Sequence, residues 1–352
     1  MMFEYESNTP GQRTKKKRKK ERQQPPRARR ATRRGDIFQL GLNGWGPNIN
    51  IVRDPRYGRN SELPSEDPNL NGAFAVATVR GMQEGDDARF PLLIHATLKH
   101  YTAYSIETDR FAVSGNVSSY DLFDSFLPAY EAGFVQGKAG GAMCSYMSMN
   151  KVPSCANDAI LNRMVRQTWG REDALLVTDC TAVSSMVDAN HYAKDTQDAT
   201  AKSINAGVDL NTGWPWARDG GLAQALGNGS VVMETVNAAL ARSLTARFRL
   251  GLFDDPAKQP YTTYGYESVN ATASQAAVVD AAAQGMVLLR NDGALPLGRG
   301  RKLAVVGVHA TTTTSLLSDY FGDQACFGEP TPDSIADCAA RNGGATATQR
   351  CA

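Results

Sequence analysis

The feature that most constrains the fold is an alternation, from Gly46 onward, of short apolar runs with longer amphipathic segments. The runs are GPNINIV (46–52), LLIHATL (92–98), GAMCSY (141–146), ALLVT (174–178) and GVDLN (207–211). They are almost continuously apolar, as strands of a parallel sheet that is covered on both faces must be. The polar residues that end them recur at intervals that fit one βα unit of ~30 or more residues. These residues are Lys99, Tyr146, Asp179 and Asp209. The pattern predicts an α/β fold whose first part is an incomplete (β/α)8 TIM-like barrel.

The segments between the runs carry apolar residues at spacings of three and four, which predicts amphipathic helices. In segment 119–134 we expect one shared apolar face, and we expect Pro128 to kink the helix. The residues of that face are Leu122, Phe123, Phe126, Leu127, Tyr130 and Phe134. Segments 156–170 and 231–251 have the same period, and Gly251 is expected to cap the second of them.

Charge divides the chain into two unlike parts. Residues 1–35 hold 13 Lys+Arg and 3 Asp+Glu, a net charge of +10, whereas the rest holds 25 and 33, a net charge of −8. Almost no apolar residues occur in the first part, so residues 1–40 are predicted to be a disordered basic head. An acidic body has no electrostatic reason to bind nucleic acid, and no apolar run approaches the ~20 residues that cross a bilayer. We therefore expect neither nucleic acid nor membrane as a partner.

The pattern changes after the predicted barrel. Residues 253–300 are predicted to be a polar linker, with a helix at about 270–287. Residues 301–352 are predicted to be the truncated start of an α/β sandwich domain, and KLAVVGVHA (302–310) its first buried strand. Because no G-x-G-x-x-G follows that strand, a nucleotide cofactor is not expected.

In a parallel barrel, chemistry takes place at the C-terminal ends of the strands, and Asp179 ends ALLVT there. A carboxylate at this place must be solvated or paired, and one alternative is that Asp179 caps the next helix. Lys99 and His100 are adjacent, so they reach one pocket only if their strand has ended. Lys99 in a structural ion pair is the alternative. The four histidines have no metal-binding spacing, so no metal site is expected.

Six segments, taken in order, resemble glycoside hydrolase family 3 and particularly its β-xylosidase branch. They are WGPNINIVRDPRYGR, SEDP, KHYTAY, MCSYMSMNKVPSCAN, VTDCTAV and AGVDLN. The resemblance covers about 41–325 and implies that residues 41–252 are the family's N-terminal barrel domain. It also implies hydrolysis by double displacement, in which one carboxylate forms a glycosyl-enzyme and a second carboxylic acid protonates the leaving group. No cofactor is implied.

The resemblance also implies roles for individual residues. Asp179 matches the nucleophile, and Arg59, Lys99, His100 and Tyr146 match residues that hold the sugar. Cys180, directly after the nucleophile, favours the xylosidase branch over the glucosidase branch. The partner cysteine of that branch often follows the AG-x-D-x-N motif, where this chain has Thr212.

Two departures from the family are larger. A first barrel strand with a sugar-binding carboxylate should precede Trp45, where the basic head stands. The acid/base glutamate comes from the second domain of the family, and no residue here is assigned to that role. Glu62 and Glu329 are carboxylates, but nothing in the sequence places either opposite Asp179. We therefore expect a truncated form with little or no hydrolytic activity.

The predicted function is that of a retaining exo-β-glycosidase, a xylan 1,4-β-xylosidase that releases xylose from the non-reducing ends of xylo-oligosaccharides. A β-glucosidase or α-arabinofuranosidase is the alternative within the family. A carbohydrate-binding remnant without catalysis, or a nucleic-acid-associated protein that uses residues 13–34, is the alternative outside it. Glycosylation sequons at Asn116, Asn228 and Asn270 fit an extracellular protein.

Overall fold

The computed structural model describes residues 42–217, 219–264, 268, 271–307 and 310. The strands are β1 (Asn43–Gly44), β2 (Glu84–Asp87), β3 (Phe90–Leu92), β4 (His95–Tyr101), β5 (Ser114–Gly115), β6 (Gly141–Cys144), β7 (Ser148–Met149), β8 (Val152–Pro153) and β9 (Leu175–Thr178). The α-helices are α1 (Pro68–Gln83), α2 (Ser119–Asp121), α3 (Pro128–Glu131), α4 (Ala182–Asp188), α5 (Thr196–Asn205), α6 (Gly221–Gly227), α7 (Met233–Arg249) and α8 (Thr272–Gly285). π-Helical segments span Leu122–Phe126, Ala132–Gln136 and Ala159–Thr168, and 3₁₀ turns span Asn60–Glu62, Ser154–Ala156, Pro256–Lys258 and Pro260–Thr263.

The central element is a parallel sheet in the order β1, β4, β6, β9. A parallel bridge between Val177 and Leu210 adds the last predicted run to its edge. The expected α/β fold with a parallel, TIM-like sheet is therefore confirmed. The predicted runs 141–146 and 174–178 contain β6 and β9, whereas the run 92–98 begins three residues before β4 does. The run 46–52 joins the sheet through a single bridge between Asn48 and Lys99.

Both faces of the sheet are covered, as the apolar runs predicted. Leu98, Ala142 and Leu176 belong to the large core that also contains Phe134 and Leu161 of the flanking helices. On the opposite face, Met143, Leu175 and Val177 pack with Ala246 of α7. Every residue of β6 and β9 is buried, because each strand has one side chain set in each core. This packing fixes the strands whose C-terminal ends carry the site.

The helical prediction for 119–134 is correct in kind but wrong for Phe123, whose exposed fraction is 59%. The chain there passes from α2 into a π-helical segment, and α3 begins at Pro128. A π turn holds more residues than an α turn, so the apolar face loses its register within one turn. Leu127, Tyr130 and Phe134 do reach the core, as expected.

The cap predicted at Gly251 is confirmed. Helix α7 ends at Arg249, and Gly251 follows with a φ of +68°. A residue with a side chain is strained in this left-handed conformation, whereas glycine adopts it readily. The N–H of Leu252 donates to the carbonyl of Arg247 at 3.1 Å, which closes the helix end.

The described residues up to Thr262 form one compact unit, and those from Thr263 belong to a second. In the second unit, α8 lies within the predicted helix at 270–287. The strand predicted over 302–310 is not formed at residues 302–307, which are exposed and lack strand structure. A strand requires a hydrogen-bonding neighbour, and none of the described residues of this unit pairs with the segment. The predicted domain boundaries at 253–300 and 301–352 stay predictions.

Two other predictions concern residues that the structure does not describe. The basic head at 1–40 and the sequon at Asn270 lie outside the described residues.

Candidate active site

Asp179 lies directly after β9, at the C-terminal end of the parallel sheet. Its N–H donates to the carbonyl of Cys144 at 3.1 Å, so the pairing of β6 with β9 continues up to this residue. The residue has only 8% of its surface exposed. Its Oδ1 accepts a hydrogen bond of 2.7 Å from the N–H of Cys180, and its buried Oδ2 has no hydrogen-bond partner among the described residues. One carboxylate oxygen is thus anchored and the other is available.

The alternative that Asp179 caps a helix is wrong. Helix α4 begins at Ala182, and the residue at its N-cap position is Thr181, with a φ of 64°. The Asp179 carboxylate bonds to the N–H of Cys180, which lies before the helix. A capping side chain would instead accept from an N–H of the first helical turn. The Asp179 carboxylate is therefore not used to terminate secondary structure.

Lys99 and His100 both come close to Asp179, although they are neighbours in one strand. Nε2 of His100 lies 3.6 Å from Oδ2 of Asp179. The positive charge of Lys99 acts to lower the pKa of Asp179. The expectation that the strand must have ended is wrong, because β4 continues to Tyr101. Its register against β6 shifts between Leu98 and Tyr101, and such an irregularity re-aims side chains without ending the strand.

The backbone of His100 is held by a reciprocal pair of hydrogen bonds. Its N–H donates to Oδ1 of Asn50 at 2.7 Å, and Nδ2 of Asn50 donates to its carbonyl at 3.0 Å. On the ring, Nε2 lies 3.3 Å from Nη2 of Arg59. Burial, followed by the charges of Arg59, Lys99 and Arg110, lowers the pKa of His100 well below its usual value. The imidazole is therefore neutral at neutral pH, and Arg59 donates to Nε2 when the ring proton is on Nδ1.

Arg59 is fixed by Glu62, one turn further along the chain. Nε and Nη2 of Arg59 donate to the two carboxylate oxygens of Glu62 at 2.6 and 3.0 Å. The two side chains are only 13% and 15% exposed. A bidentate pair of this kind holds the guanidinium plane in one orientation. Nη2 of Arg59, which donates to Glu62, also lies 3.3 Å from Nε2 of His100. The loop after β1 therefore reaches the C-terminal end of the sheet.

Tyr146 follows β6 and closes another side of the site. Its hydroxyl donates to the carbonyl of Cys180 at 2.8 Å. Its ring packs edge-on against Phe111, with centroids 4.7 Å apart, and the guanidinium of Arg110 lies 4.9 Å from the ring centroid. Burial and the charge of Asp179 raise the pKa of Tyr146. The phenol therefore stays protonated and able to donate.

The environment of Asp179 is balanced between burial and positive charge. Burial raises the pKa of Asp179 above its ordinary value, and this effect is the largest. The Cys180 N–H, the Tyr146 hydroxyl and the cations of Arg59 and Lys99 act in the opposite direction. A partly desolvated carboxylate with one oxygen available is suited to attack an electrophilic carbon. The structure thus brings together all five residues that the sequence singled out.

Several residues of the site were not assigned a role from the sequence. The hydroxyl of Tyr104 donates to Glu107 at 2.6 Å, and Nη1 of Arg110 donates to the other oxygen of Glu107 at 2.8 Å. The Tyr104 ring lies edge-on to that of His100, with centroids 5.4 Å apart. These residues come from the loop after β4, where no periodicity distinguishes them. Asn50 did carry a signal, since a polar residue inside an apolar run is unusual.

Asp209 also follows an apolar run, but it is a structural residue. Its side chain is fully buried and accepts hydrogen bonds of 2.8 Å from Arg166, from Arg242 and from the N–H of Leu176. Each carboxylate oxygen is therefore paired. Although burial raises the pKa of Asp209, both arginines act to lower it. This carboxylate joins a flanking helix and α7 to the sheet and is not available for chemistry.

The cysteines pair differently from the pattern that the resemblance implied. Cys144 at the end of β6 forms a disulfide with Cys155, and their Cα atoms are 5.2 Å apart. Cys180 forms no disulfide with a described cysteine. At the expected partner position, Thr212 donates from Oγ1 to the carbonyl of Thr178 at 2.6 Å. Threonine thus ties this loop to β9 by a hydrogen bond.

The described residues contain no group of three or more metal-ligating side chains. The described part of the chain also has no helix long and apolar enough to cross a membrane.

Two glutamates lie in the site, and each accepts hydrogen bonds from an arginine. Glu62 accepts from Arg59, and Glu107 accepts from Arg110. Glu329 lies outside the described residues.

A comparison with protein families decides the relationship. Residues 27–246 match the model of the glycosyl hydrolase family 3 N terminal domain. The chain belongs to glycosyl hydrolase family 3. The match begins inside the segment predicted as the basic head and ends within the predicted barrel domain at 41–252. Those domain boundaries therefore stay predictions.

Curated proteins with similar sequences include plant and fungal proteins named as β-xylosidases. The chain is 37% identical over 301 residues to beta-xylosidase/alpha-L-arabinofuranosidase 2 of Medicago sativa subsp. varia, which covers 82% of this chain. It is 39% identical over 307 residues to beta-D-xylosidase 3 of Arabidopsis thaliana, which covers 84%. The matched parts are 38% and 39% of these relatives. The chain thus spans well under half the length of the family 3 proteins that it matches.

Solved family 3 structures agree with the fold. A GH3 exo-beta-xylosidase, solved in complex with a xylobiose aziridine probe, aligns with a TM-score of 0.69 and 31% identity over 74% of this chain and 34% of its own. A beta-glucosidase from Listeria innocua in complex with glucose aligns with a TM-score of 0.64 and 28% identity over 72% of this chain and 35% of its own.

Proposed function

We propose that the site acts in a retaining exo-β-glycosidase, with Asp179 as the nucleophile and a terminal xylose as the sugar that it attacks. The observation that carries the proposal is the Asp179 carboxylate, buried at the end of β9, with Oδ1 anchored and with no described residue hydrogen-bonded to Oδ2. Relatives named as xylosidases support the choice of sugar.

In the proposed reaction, Oδ2 of Asp179 attacks the anomeric carbon while the glycosidic C–O bond breaks. The electron pair of that bond leaves with the aglycone oxygen, which takes a proton from a carboxylic acid. Water then attacks the same carbon, releases the carboxylate and gives its proton back to the acid/base group, with overall retention. Among the described residues we assign no group to the acid/base role.

The other residues have binding roles in this proposal. Arg59, Lys99 and neutral His100 surround the anionic nucleophile and offer donors to sugar hydroxyls. Tyr146 holds the carbonyl of Cys180, the residue whose N–H anchors Asp179. The pair of bonds fixes the turn after β9, so the carboxylate is presented in one orientation.

Covalent trapping tests the nucleophile. A fluorinated β-xyloside with a dinitrophenolate leaving group needs no proton to depart, so the test does not depend on an acid/base residue. We expect the sugar to accumulate as an ester on the peptide that contains Asp179, measured by peptide mass spectrometry. Asp179→Asn should abolish the adduct. Asp124→Asn, which changes an exposed helical carboxylate, should leave it unchanged.

Two alternatives in the same family concern the sugar. Relatives named beta-xylosidase/alpha-L-arabinofuranosidase favour an arabinoside as a second substrate, and beta-glucosidase structures favour a glucoside. The rates of trapping with matched xyloside, glucoside and arabinoside probes decide between them. Binding of xylobiose without an adduct from any of the three would favour a carbohydrate-binding protein.

We further propose that the enzyme works outside the cell, on xylo-oligosaccharides. Asn116 and Asn228, each the first residue of a sequon, are exposed, as glycosylation requires. The Cys144–Cys155 disulfide also fits an oxidising compartment. Expression in a secreting eukaryotic host, followed by glycosidase treatment and mass measurement, tests both asparagines.

A further inference from the structure

The Glu62 carboxylate lies among three donated hydrogen bonds beside the proposed nucleophile. Arg59 donates two of them, at 2.6 and 3.0 Å, and Nδ2 of Asn48 donates the third at 3.1 Å. Asn48 forms a β-bridge with Lys99, so Glu62 joins its own loop to the strand that carries Lys99 and His100. The side chain is only 15% exposed, which strengthens these charge-assisted contacts.

This geometry excludes Glu62 from the acid/base role. An acid must hold a proton at the working pH, whereas Arg59 and Asn48 together donate three hydrogen bonds to the carboxylate. Burial acts to raise the pKa of Glu62, but the hydrogen bonds and charge of Arg59, the hydrogen bond from Asn48 and the charge of Lys99 together lower it. Glu62 is therefore an anion in the folded protein, and its function must be electrostatic or positional.

Lys99 is a second cation on which this anion acts. Burial lowers the pKa of Lys99, and Glu62 is the largest of the charges that oppose the change. The charged and titratable groups that act on Lys99 come from the loop after β1 and from the end of β9, and they are Glu62, Arg59, Asp179 and Cys180. Without Glu62, Lys99 would keep Asp179 and Cys180 as the groups that raise its pKa, against burial and the charge of Arg59.

We propose that Glu62 is a positioning residue of the site: it orients the Arg59 guanidinium toward His100 and keeps Lys99 charged beside Asp179. The inference rests on the proposed function only in that the site holds a sugar. Arg59 and Lys99 would touch the sugar hydroxyls, and Glu62 would act through them. Its contribution would resemble that of the outer residues that orient the ligands of a metal.

The first test measures the protonation of Lys99 directly and does not require catalytic activity. Acetic anhydride modifies only the unprotonated amine, so the pH dependence of Lys99 acetylation, measured by peptide mass spectrometry, reports its protonation. In Glu62→Gln we expect the midpoint to move to lower pH, and in Glu62→Asp to lie between that of Glu62→Gln and wild type. Asp54→Asn is the matched control, because Asp54 pairs with an arginine of the same loop, Arg56, whose side chain is 88% exposed.

The second test measures the orientation of Arg59 by its effect on the affinity for a sugar. Calorimetric titration with xylobiose should show about tenfold weaker binding to Glu62→Gln, since the loss of orientation at one charged donor costs about this factor. Glu62→Asp should recover part of the affinity, which a volume effect would not explain. Asp54→Asn should bind as wild type does.

The two tests separate the positioning role from the proposed function. If wild type does not bind xylobiose, the sugar proposal fails, and Lys99 acetylation still decides the role of Glu62. An unchanged acetylation midpoint in Glu62→Gln would overturn the inference. So would the loss of a cooperative thermal transition in both Glu62 variants, because Glu62 would then be needed for folding itself.

Discussion

Nε2 of His100 and Oδ2 of Asp179 lie 3.6 Å apart, and both groups are buried at the C-terminal end of the sheet. Burial favours the neutral form of each, which lowers the pKa of His100 and raises that of Asp179. The pair is therefore a neutral imidazole beside a desolvated carboxylate, not a salt bridge. This arrangement leaves the carboxylate oxygen reactive, and the burial of its charge lowers the free energy of unfolding.

Asp179→Asn should stabilise the protein at pH 7. The folded-state pKa of Asp179 is raised, so its favourable contribution is present at low pH and is lost as the pH rises through that pKa. An amide removes the cost of the buried charge, and its oxygen can still accept the hydrogen bond from the N–H of Cys180. We expect a gain of about 1 kcal/mol in the free energy of unfolding at pH 7. Urea denaturation at pH 7 and pH 4 checks it. A gain that does not shrink at pH 4 would contradict the assignment.

His95 should make the fold sensitive to acid. Burial lowers the pKa of His95 from 6.5 to about 4. Its stabilising contribution is therefore present above pH 6.5 and is lost as the pH falls through about 4, which amounts to about 3 kcal/mol. In His95→Gln the free energy of unfolding should fall less between pH 7 and pH 4. His191→Gln, at an exposed position, should follow the wild-type curve in the same urea titrations.

Asp209→Asn should be strongly destabilising. The substitution leaves two arginines, Arg166 and Arg242, without their shared carboxylate, and the side chain of Arg166 is only 8% exposed. Removing one partner of a buried ion pair costs about 3–5 kcal/mol. Asp158→Asn breaks an exposed pair with Arg163 and should cost less than about 1 kcal/mol. Equal melting temperatures for the two variants would show that the Asp209 pairs contribute nothing.

The disulfide and Cys180 should behave in opposite ways. Cys155→Ala opens a covalent loop with a sequence separation of 11 residues, which should cost about 3 kcal/mol through the entropy of the unfolded chain. Cys180→Ala should change the melting temperature little. Iodoacetamide should label the Cys180 peptide without a reductant and the Cys144 peptide only after reduction, as peptide mass spectrometry would show.

Much of the sheet could be predicted because burial on both faces leaves a direct mark on the sequence. β6 and β9 fall within their predicted runs, since each of their residues must be apolar or small. The prediction was poorer where contacts outside the segment decide the structure. Phe123 lies on the expected face by spacing, but a π-helical turn rotates it into solvent. Residues 302–307 have the composition of a strand and no strand partner among the described residues.

The candidate site, like the fold, could be predicted only in part from the sequence. Strand ends indicated Asp179, Tyr146, Lys99 and its neighbour His100, and motif resemblance added Arg59 and the roles of all five. Asp209 occupies an equivalent place in the sequence, yet Arg166 and Arg242 neutralise it. Residues far apart in sequence supply those partners, so spacing alone does not distinguish a paired carboxylate from an available one.

By itself, the sequence determined the alternation of strands and helices and the end of the sheet at which Asp179 lies, because both follow from local patterns of burial. Only the tertiary structure decided which oxygen of Asp179 is anchored, that His100 is neutral and that Glu62 belongs to Arg59. These properties depend on distances of a few ångströms between segments that are remote in the chain. Electrostatic and hydrogen-bond energies change steeply over such distances, and no pattern in the sequence records them.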